Sequence, residues 1–176
     1  SPTWKSGADC KFVNCLSFAS ASSQYVTMGN VLNTNTAFSV SLWVKTSQTI
    51  AGYLISRDDN GGNREWQLTI GEDAAGRPTF TIDCQNSFTN RIRIGSSSTA
   101  VNDDNWHFVV TTWDGTFSSS NMAIYVDGAA ISTTSNNAGS CTSVSSTSAS
   151  LTIAANSGGG NYLNGNLDDV RIYNRA

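Results

Sequence analysis

Surface chemistry starts from acids, bases and nucleophiles, and this chain holds few of them. Its glutamates are Glu65 and Glu72, its histidine is His107, and the remaining eleven acids are aspartates. Retaining glycoside hydrolysis needs two carboxyl groups about 5 Å apart across the sugar. Glu65 and Glu72 stand seven positions apart, which puts them on opposite faces of a continuous strand. Glu72-Asp73 also runs straight into Ala74-Ala75-Gly76, a turn sequence. Lyase chemistry would have to be built around His107 alone, and His107 sits in a strand-like run on the face of Val109 and Thr111. There it reads as a satisfied strand histidine. No Ser or Cys has the setting of a nucleophile elbow. No catalytic residues are expected, and the chain reads as something other than an enzyme.

Binding leaves a different signature. A carbohydrate surface needs a flat aromatic ring for the apolar sugar face, and amides or guanidinium groups for the hydroxyls. The candidates are Tyr53, Trp66, Asn86, Phe88, Arg91, Arg93, Phe117 and Tyr162. Arg91 and Arg93 alternate with Ile92 and Ile94, so both guanidiniums leave the core on one face, as ligand contacts or as a solvated strand surface. Trp66 shares a face with Leu68 and Ile70, which favours a core position over a platform. Trp106 alternates with Phe108 and Val110 and is expected in the core.

Short alternating segments must position these residues. The clearest is Phe38-Ser39-Val40-Ser41-Leu42-Trp43-Val44-Lys45, whose period of two is that of a half-buried strand. Similar segments run over 53–56, 66–70, 79–84, 91–94, 106–114, 122–126, 151–154 and 167–173, separated by Gly, Asn, Asp and Ser. Asn60-Gly61-Gly62, Asp114-Gly115, Asp127-Gly128 and Gly158-Gly159-Gly160 supply the turns. No helical stripe appears. Ser, Thr and Asn form roughly a third of the chain, and such side chains compete with a helical backbone. The pattern predicts an all-β, two-sheet antiparallel sandwich in a single domain over 1–176, with 1–15 as a lead-in loop. The polar stretch 132–150 reads as a long surface loop plus an edge strand.

Four cysteines with no CxxC pair exclude a zinc ribbon and allow three disulfide pairings. Cys10–Cys15 would close the short loop Lys11-Phe12-Val13-Asn14, leaving Cys84–Cys141. Alternatively Cys84, alternating with Phe80 and Ile82, is a buried thiol. An even cysteine count and few lysines fit a secreted or cell-surface protein. The first residue is Ser and no leader is evident, so a mature or excised domain is expected. A net charge of −3 argues against nucleic acid as a partner, and no apolar run is long enough for membrane insertion.

Three segments together carry a resemblance. The first is Leu16-Ser17-Phe18 with Tyr25-Val26 and the run Phe38–Lys45. The second is Asp104-Asn105-Trp106-His107-Phe108-Val109, Trp113-Asp114-Gly115 and Ile124-Tyr125-Val126-Asp127-Gly128. The third is Leu151-Thr152-Ile153-Ala154 and Gly165-Asn166-Leu167-Asp168-Asp169-Val170-Arg171-Ile172-Tyr173-Asn174-Arg175-Ala176. In order and spacing they resemble the bacterial laminin G-like jelly-roll domains of the concanavalin A-like lectin/glucanase superfamily. The resemblance implies a jelly-roll sandwich with one concave sheet, and a ligand taken by that face or by loops at one rim. It also implies framework positions for Trp43 and Trp113. The Glu-x-Asp-x-x-Glu strand of the related glucanases is absent.

Resembling modules bind a structural calcium ion through an Asp at the start of the last strand, which points to Asp168, with Asp169 beside it. Where relatives commonly read Phe-Asp-Gly, this chain has Phe18-Ala19-Ser20. Pentraxins, a related lectin fold, bind calcium through an Asp-Asn pair that Asp59 and Asn60 would match. Without such an ion, Asp168 would hydrogen-bond loop backbone and Asp59-Asn60 would form an Asx turn. The expected function is a non-catalytic, exported carbohydrate-binding or adhesion module, with a glycan or a cell-surface protein as partner. The alternatives are a protein-interaction domain or a structural spacer of a larger surface protein. A glycan-cleaving enzyme ranks last.

Overall fold

The computed structural model describes residues 1–31, 36–59, 61–85 and 87–176. In chain order the strands are β1 (Thr3–Ser6), β2 (Asn14–Phe18), β3 (Val26–Thr27), β4 (Phe38–Thr46), β5 (Gly52–Asp58), β6 (Arg64–Ile70) and β7 (Pro78–Cys84). They continue with β8 (Ser87–Ser96), β9 (Trp106–Trp113), β10 (Met122–Val126), β11 (Ala129–Ala130), β12 (Thr133–Ser135), β13 (Leu151–Ile153) and β14 (Gly165–Tyr173). Three single-turn 3₁₀ segments are the only helical pieces among the described residues.

The strands form two seven-stranded antiparallel sheets. The first runs β1-β2-β14-β4-β9-β10-β11 and the second β12-β8-β7-β6-β5-β13-β3. Alternation explains how they pack. Phe38, Val40, Leu42 and Val44 of β4 point inward, as do Trp66, Leu68 and Ile70 of β6 and Phe80 and Ile82 of β7, all essentially without solvent contact. Phe38 centres this core, with ring centroids 5.1 Å from Trp66, 5.9 Å from Phe80 and 5.7 Å from Trp113. Aromatic clusters of this kind add stability beyond the area they bury.

The structure differs from the sequence expectation in two places. Residues 1–15 are more than a lead-in: β1 and β2 form a hairpin that extends the first sheet, with Lys5 opposite Cys15. Alternation in β9 runs in the opposite phase to the one expected. Val109, Thr111 and Trp113 pair with Leu42, Val40 and Phe38 on the core side, so Trp106, Phe108 and Val110 lie on the outer face. Trp43 is on that outer face too, stacked at 5.1 Å on Phe108. Both cysteine pairs are bonded as expected, Cys10 to Cys15 and Cys84 to Cys141. The stretch after β10 carries the expected edge strand, β12, paired to β8.

The Cys10–Cys15 loop lies across the outer face of the first sheet. Phe12 meets Trp43 edge-on at 6.4 Å, and the Lys11 ammonium sits 3.9 Å above the Trp43 ring. That arrangement covers Trp43 with the chain's own residues and leaves a cleft beside it, lined by Phe12, Val13, Asn14, Asp168, Asp169 and Arg171.

Candidate functional site

The outer face of the second sheet is polar along every strand. Register sets its rows, because directly opposed residues share a face. One row runs Tyr53, Thr69, Thr79, Gly95. The next runs Thr152, Ser56, Gln67, Thr81, Arg93. A third pairs Asp83 with Arg91 on β7 and β8, and Asp58 with Arg64 on β5 and β6. Two irregularities bring Asp58 and Arg64 onto this face. The register shifts between Tyr53 and Ile55, and again where Arg57 meets Trp66 and Asp58 meets Arg64. The second shift takes Glu65 out of the rows and turns it to the buried guanidinium of Arg57 at 3.1 Å and the Thr147 amide at 2.7 Å.

These polar side chains lie close to the sheet. Asp58, Thr79 and Thr81 have no solvent exposure, Asp83 has 1% and Gln67 3%. Several atoms among them have no hydrogen-bond partner among the described residues: Gln67 Oε1, Thr81 Oγ1, Asp83 Oδ2, Arg91 Nε and Arg93 Nε. A buried polar atom without a partner is costly, by about 1–3 kcal/mol. The set contains both donors and acceptors.

The surroundings are partly fixed. Tyr53 donates its hydroxyl to Asp58 Oδ2 at 3.0 Å, and burial together with the Asp58 charge raises the phenol well above its ordinary value. Arg64 lies 3.4 Å from Asp58. Arg93 is held by Glu72 at 3.1 Å and Asp73 at 2.6 Å. A glycine at position 95 makes this clamp fit, since a Cβ there would fall 2.3 Å from Asp73 Oδ2. Arg91 differs: among the described residues its guanidinium has neither an ion pair nor a hydrogen bond. Burial, reinforced by the Asp58 carboxylate, pushes the Asp83 carboxyl up to about 7, with Arg64 and Arg91 opposing.

Of the residues singled out in the sequence, the structure brings Tyr53, Arg91 and Arg93 together on this face. Trp66 has no solvent exposure and packs against Phe38, so it serves no ligand as a platform. Tyr162 is half-buried and tilts against Tyr25 at 6.1 Å. Phe117 is exposed in the turn after β9. Asn86 lies outside the described residues; Phe88 is in β8, but its side chain is likewise not described. Asp58, Arg64, Gln67, Thr81 and Asp83 were not anticipated. For Gln67, Thr81 and Asp83 a signal existed, because Trp66-Gln67-Leu68-Thr69-Ile70 and Phe80-Thr81-Ile82-Asp83 alternate strictly. The irregularities that bring in Asp58 and Arg64 have no such signature.

The expected metal ligands fall in two separate places. Asp168 faces outward opposite Trp43 and accepts the Phe12 amide at 2.9 Å. Asp169 sits at a bulge with φ of 48° and binds the Arg171 guanidinium at 2.7 Å. Asp59 accepts the amides of Gly61 at 2.8 Å and Asn63 at 3.0 Å, and also the Asn63 side chain. Partial burial raises its carboxyl, but these hydrogen bonds outweigh burial and leave it below the usual range. Asn60 lies outside the described residues. Calcium wants six to eight oxygen ligands. At neither place do the described residues form such a set: no cluster of three metal-ligating side chains occurs, and a guanidinium occupies one carboxylate.

His107, on the core side of β9 at the rim, lies 2.8 Å from Asp127 and 2.9 Å from Asp103. Burial lowers its pKa, but the two carboxylates outweigh it and hold it above the ordinary value. Both of its ring nitrogens are engaged, as expected of a satisfied strand histidine.

Comparison with known proteins agrees with this architecture. A model of the concanavalin A-like lectin/glucanase superfamily, of the laminin G type, matches residues 20–176, and the chain belongs to that family. No curated protein matches it in sequence. Among solved structures it is similar to a Bacteroides ovatus protein described as carbohydrate-binding, with a TM-score of 0.60 and 14% identity, covering 86% of this chain and 41% of that one. It is also similar to domains LG4-5 of the mouse laminin α1 chain, with a TM-score of 0.58 and 15% identity, covering 86% of this chain and 39% of that one. A third is the NanB sialidase of Streptococcus pneumoniae, with a TM-score of 0.56 and 17% identity, covering 88% of this chain and 25% of that one. The chain spans less than half the length of these three proteins.

Proposed function

We propose that this chain is a non-catalytic, exported glycan-binding module whose ligand lies on the outer face of the second sheet. The observation that carries this reading is the set of buried polar atoms there without a partner among the described residues, Gln67 Oε1, Thr81 Oγ1 and Asp83 Oδ2, beside the Arg91 guanidinium, which pairs with none of those residues. Donors and acceptors stand side by side, and a sugar hydroxyl both donates and accepts. Membership of a lectin-containing family and the similarity to a carbohydrate-binding protein support the same ligand class.

Two disulfides support an oxidising compartment. No described helix is long and apolar enough to cross a membrane. The non-catalytic part of the reading is supported by the fate of the acid–base residues. Glu65 is tied to Arg57 and Thr147, Glu72 to Arg93, and His107 to two aspartates.

A glycan array probed with the labelled domain tests the reading, with turnover of the bound polysaccharides followed in parallel. Binding of glycans without cleavage is expected. Cleavage would contradict the non-catalytic part, and a blank array would contradict the whole.

A second reading, a protein-interaction domain, draws on a different observation: Trp4, Phe12 and Val13 are 73%, 54% and 77% exposed at the hairpin end of the first sheet. Capture of a surface protein that is abolished by Trp4→Ala and Phe12→Ala, with a blank array, would favour it.

A further inference from the structure

The same face carries information about the charge of its ligand, and the inference rests on the glycan-binding reading above. The unpartnered atoms comprise two acceptors, Gln67 Oε1 and Asp83 Oδ2, two donors, Arg91 Nε and Arg93 Nε, and Thr81 Oγ1, which can act either way. Each belongs to a side chain placed outward by register, and Gln67, Thr81, Asp83 and Arg93 are all at least nine-tenths buried. These residues therefore form a built polar floor.

The fixed charges around it already engage one another and leave one carboxylate in excess. Asp58 is beside Arg64, and Arg93 is clamped between Glu72 and Asp73. That leaves Asp83 and Arg91, directly opposite each other on β7 and β8 and joined by no ion pair. With Asp83 ionised, four carboxylates (Asp58, Glu72, Asp73, Asp83) face three guanidiniums (Arg64, Arg91, Arg93). A ligand carboxylate or sulfate would add a further anion beside Asp83, with Arg91 alone to offset it. A pair of neighbouring hydroxyls adds no charge: one donates to Asp83 while the other accepts from Arg91.

We infer that the site selects an uncharged saccharide, read through adjacent hydroxyls shared between Asp83 and Arg91, and discriminates against uronic or sulfated sugars. Asp83 is faced by Asp58 from β5, Arg64 from β6, Arg91 from β8 and Glu72 from the turn after β6. Its carboxyl, held near 7, changes between donor and acceptor around neutrality. A hydroxyl suits either state, whereas a ligand carboxylate suits only the protonated one. Discrimination against acidic sugars therefore grows as pH rises through that value.

The test uses matched pairs of oligosaccharides that differ only in charge, galacto-oligosaccharide against oligogalacturonate and manno-oligosaccharide against oligomannuronate. Each is titrated calorimetrically into the whole chain at pH 5 and pH 8. At least one neutral member is expected to bind ten-fold or more tightly than its acidic partner at pH 8, with a smaller gap at pH 5. Arg91→Gln is expected to weaken the neutral member about ten-fold, and Asp83→Asn to narrow the gap at pH 8, with thermal melts confirming that both variants fold. An acidic member that binds as tightly as its neutral partner at pH 8 overturns the inference while leaving the glycan reading intact. So does unchanged neutral affinity in both folded variants. Binding by neither series at either pH overturns the inference, and a blank glycan array beside it removes the glycan reading as well.

Discussion

The two outer faces of this sandwich are built from the same alternating strands and end in different states. On the first sheet, Trp43 stacks on Phe108, takes Phe12 edge-on and carries the Lys11 ammonium above its ring. On the second, Gln67, Thr81 and Asp83 are as deeply buried as core residues yet keep atoms without partners. On the first face the chain covers its own ring, through a loop that a disulfide pins in place, although the Trp106 indole nitrogen there has no partner among the described residues. On the second, five such atoms lie on three adjacent strands, β6, β7 and β8. Aromatic rings outside a core are a poor guide to a binding surface when the chain itself covers them. Unpartnered buried polar atoms are a better one.

The largest expected effect comes from Asp83. Its pKa is raised in the folded protein, from 3.8 to about 7, so the folded state binds more protons than the unfolded chain between those values. Stability therefore falls as pH rises through that window. Asp83→Asn is expected to remove this fall and to raise stability at pH 8 by about 2–4 kcal/mol. Urea unfolding at pH 4, 6 and 8 measures it, and parallel curves for parent and variant would break the contrast between the faces.

Removing the Cys10–Cys15 bond by paired Ser substitution comes next. Closing so short a loop contributes about 2 kcal/mol. A melting temperature lower by about 4–8 °C is expected. Trp43 should become more accessible to a fluorescence quencher, with ligand binding unchanged. Lost binding would mean that the two faces are coupled.

Lys11→Ala should cost about 0.5–1 kcal/mol, the value of a partly exposed cation–π contact, and should also leave binding unchanged. His107→Gln gives a smaller effect with its own pH window. The folded pKa of His107 is raised, so its contribution is complete below the unfolded value of 6.5 and is lost as pH rises through the folded value. The variant's deficit should therefore shrink as pH rises past 6.5, whereas the Asp83 effect grows over 3.8 to about 7.

The sandwich was legible in the sequence because its central strands alternate cleanly. Trp66, Leu68 and Ile70 share a face in the structure as they do in the pattern, and the Arg91 and Arg93 guanidiniums leave the core together. Short strands were not legible: β3 and β11 have two residues each, too few to show a period. In β9 both alternating sets, Trp106-Phe108-Val110 and His107-Val109-Thr111, contain large apolar residues, so pattern alone favoured the wrong phase. Pairing with β4 decides it, and pairing is a tertiary fact. The site was half legible for a similar reason. Gln67, Thr81 and Asp83 follow from strict alternation, but Asp58 and Arg64 depend on backbone irregularities in β5 and β6, which reverse the faces predicted from numbering.

The central claim concerns which face receives the ligand, and amide chemical-shift mapping on the isotopically labelled chain tests it most directly. On titration with a glycan identified by the array, the largest shifts are expected at Gln67, Thr81, Asp83 and Arg91 of β6, β7 and β8. Shifts centred instead on Phe12, Trp43 and Phe108, with β6 and β7 unmoved, would contradict it.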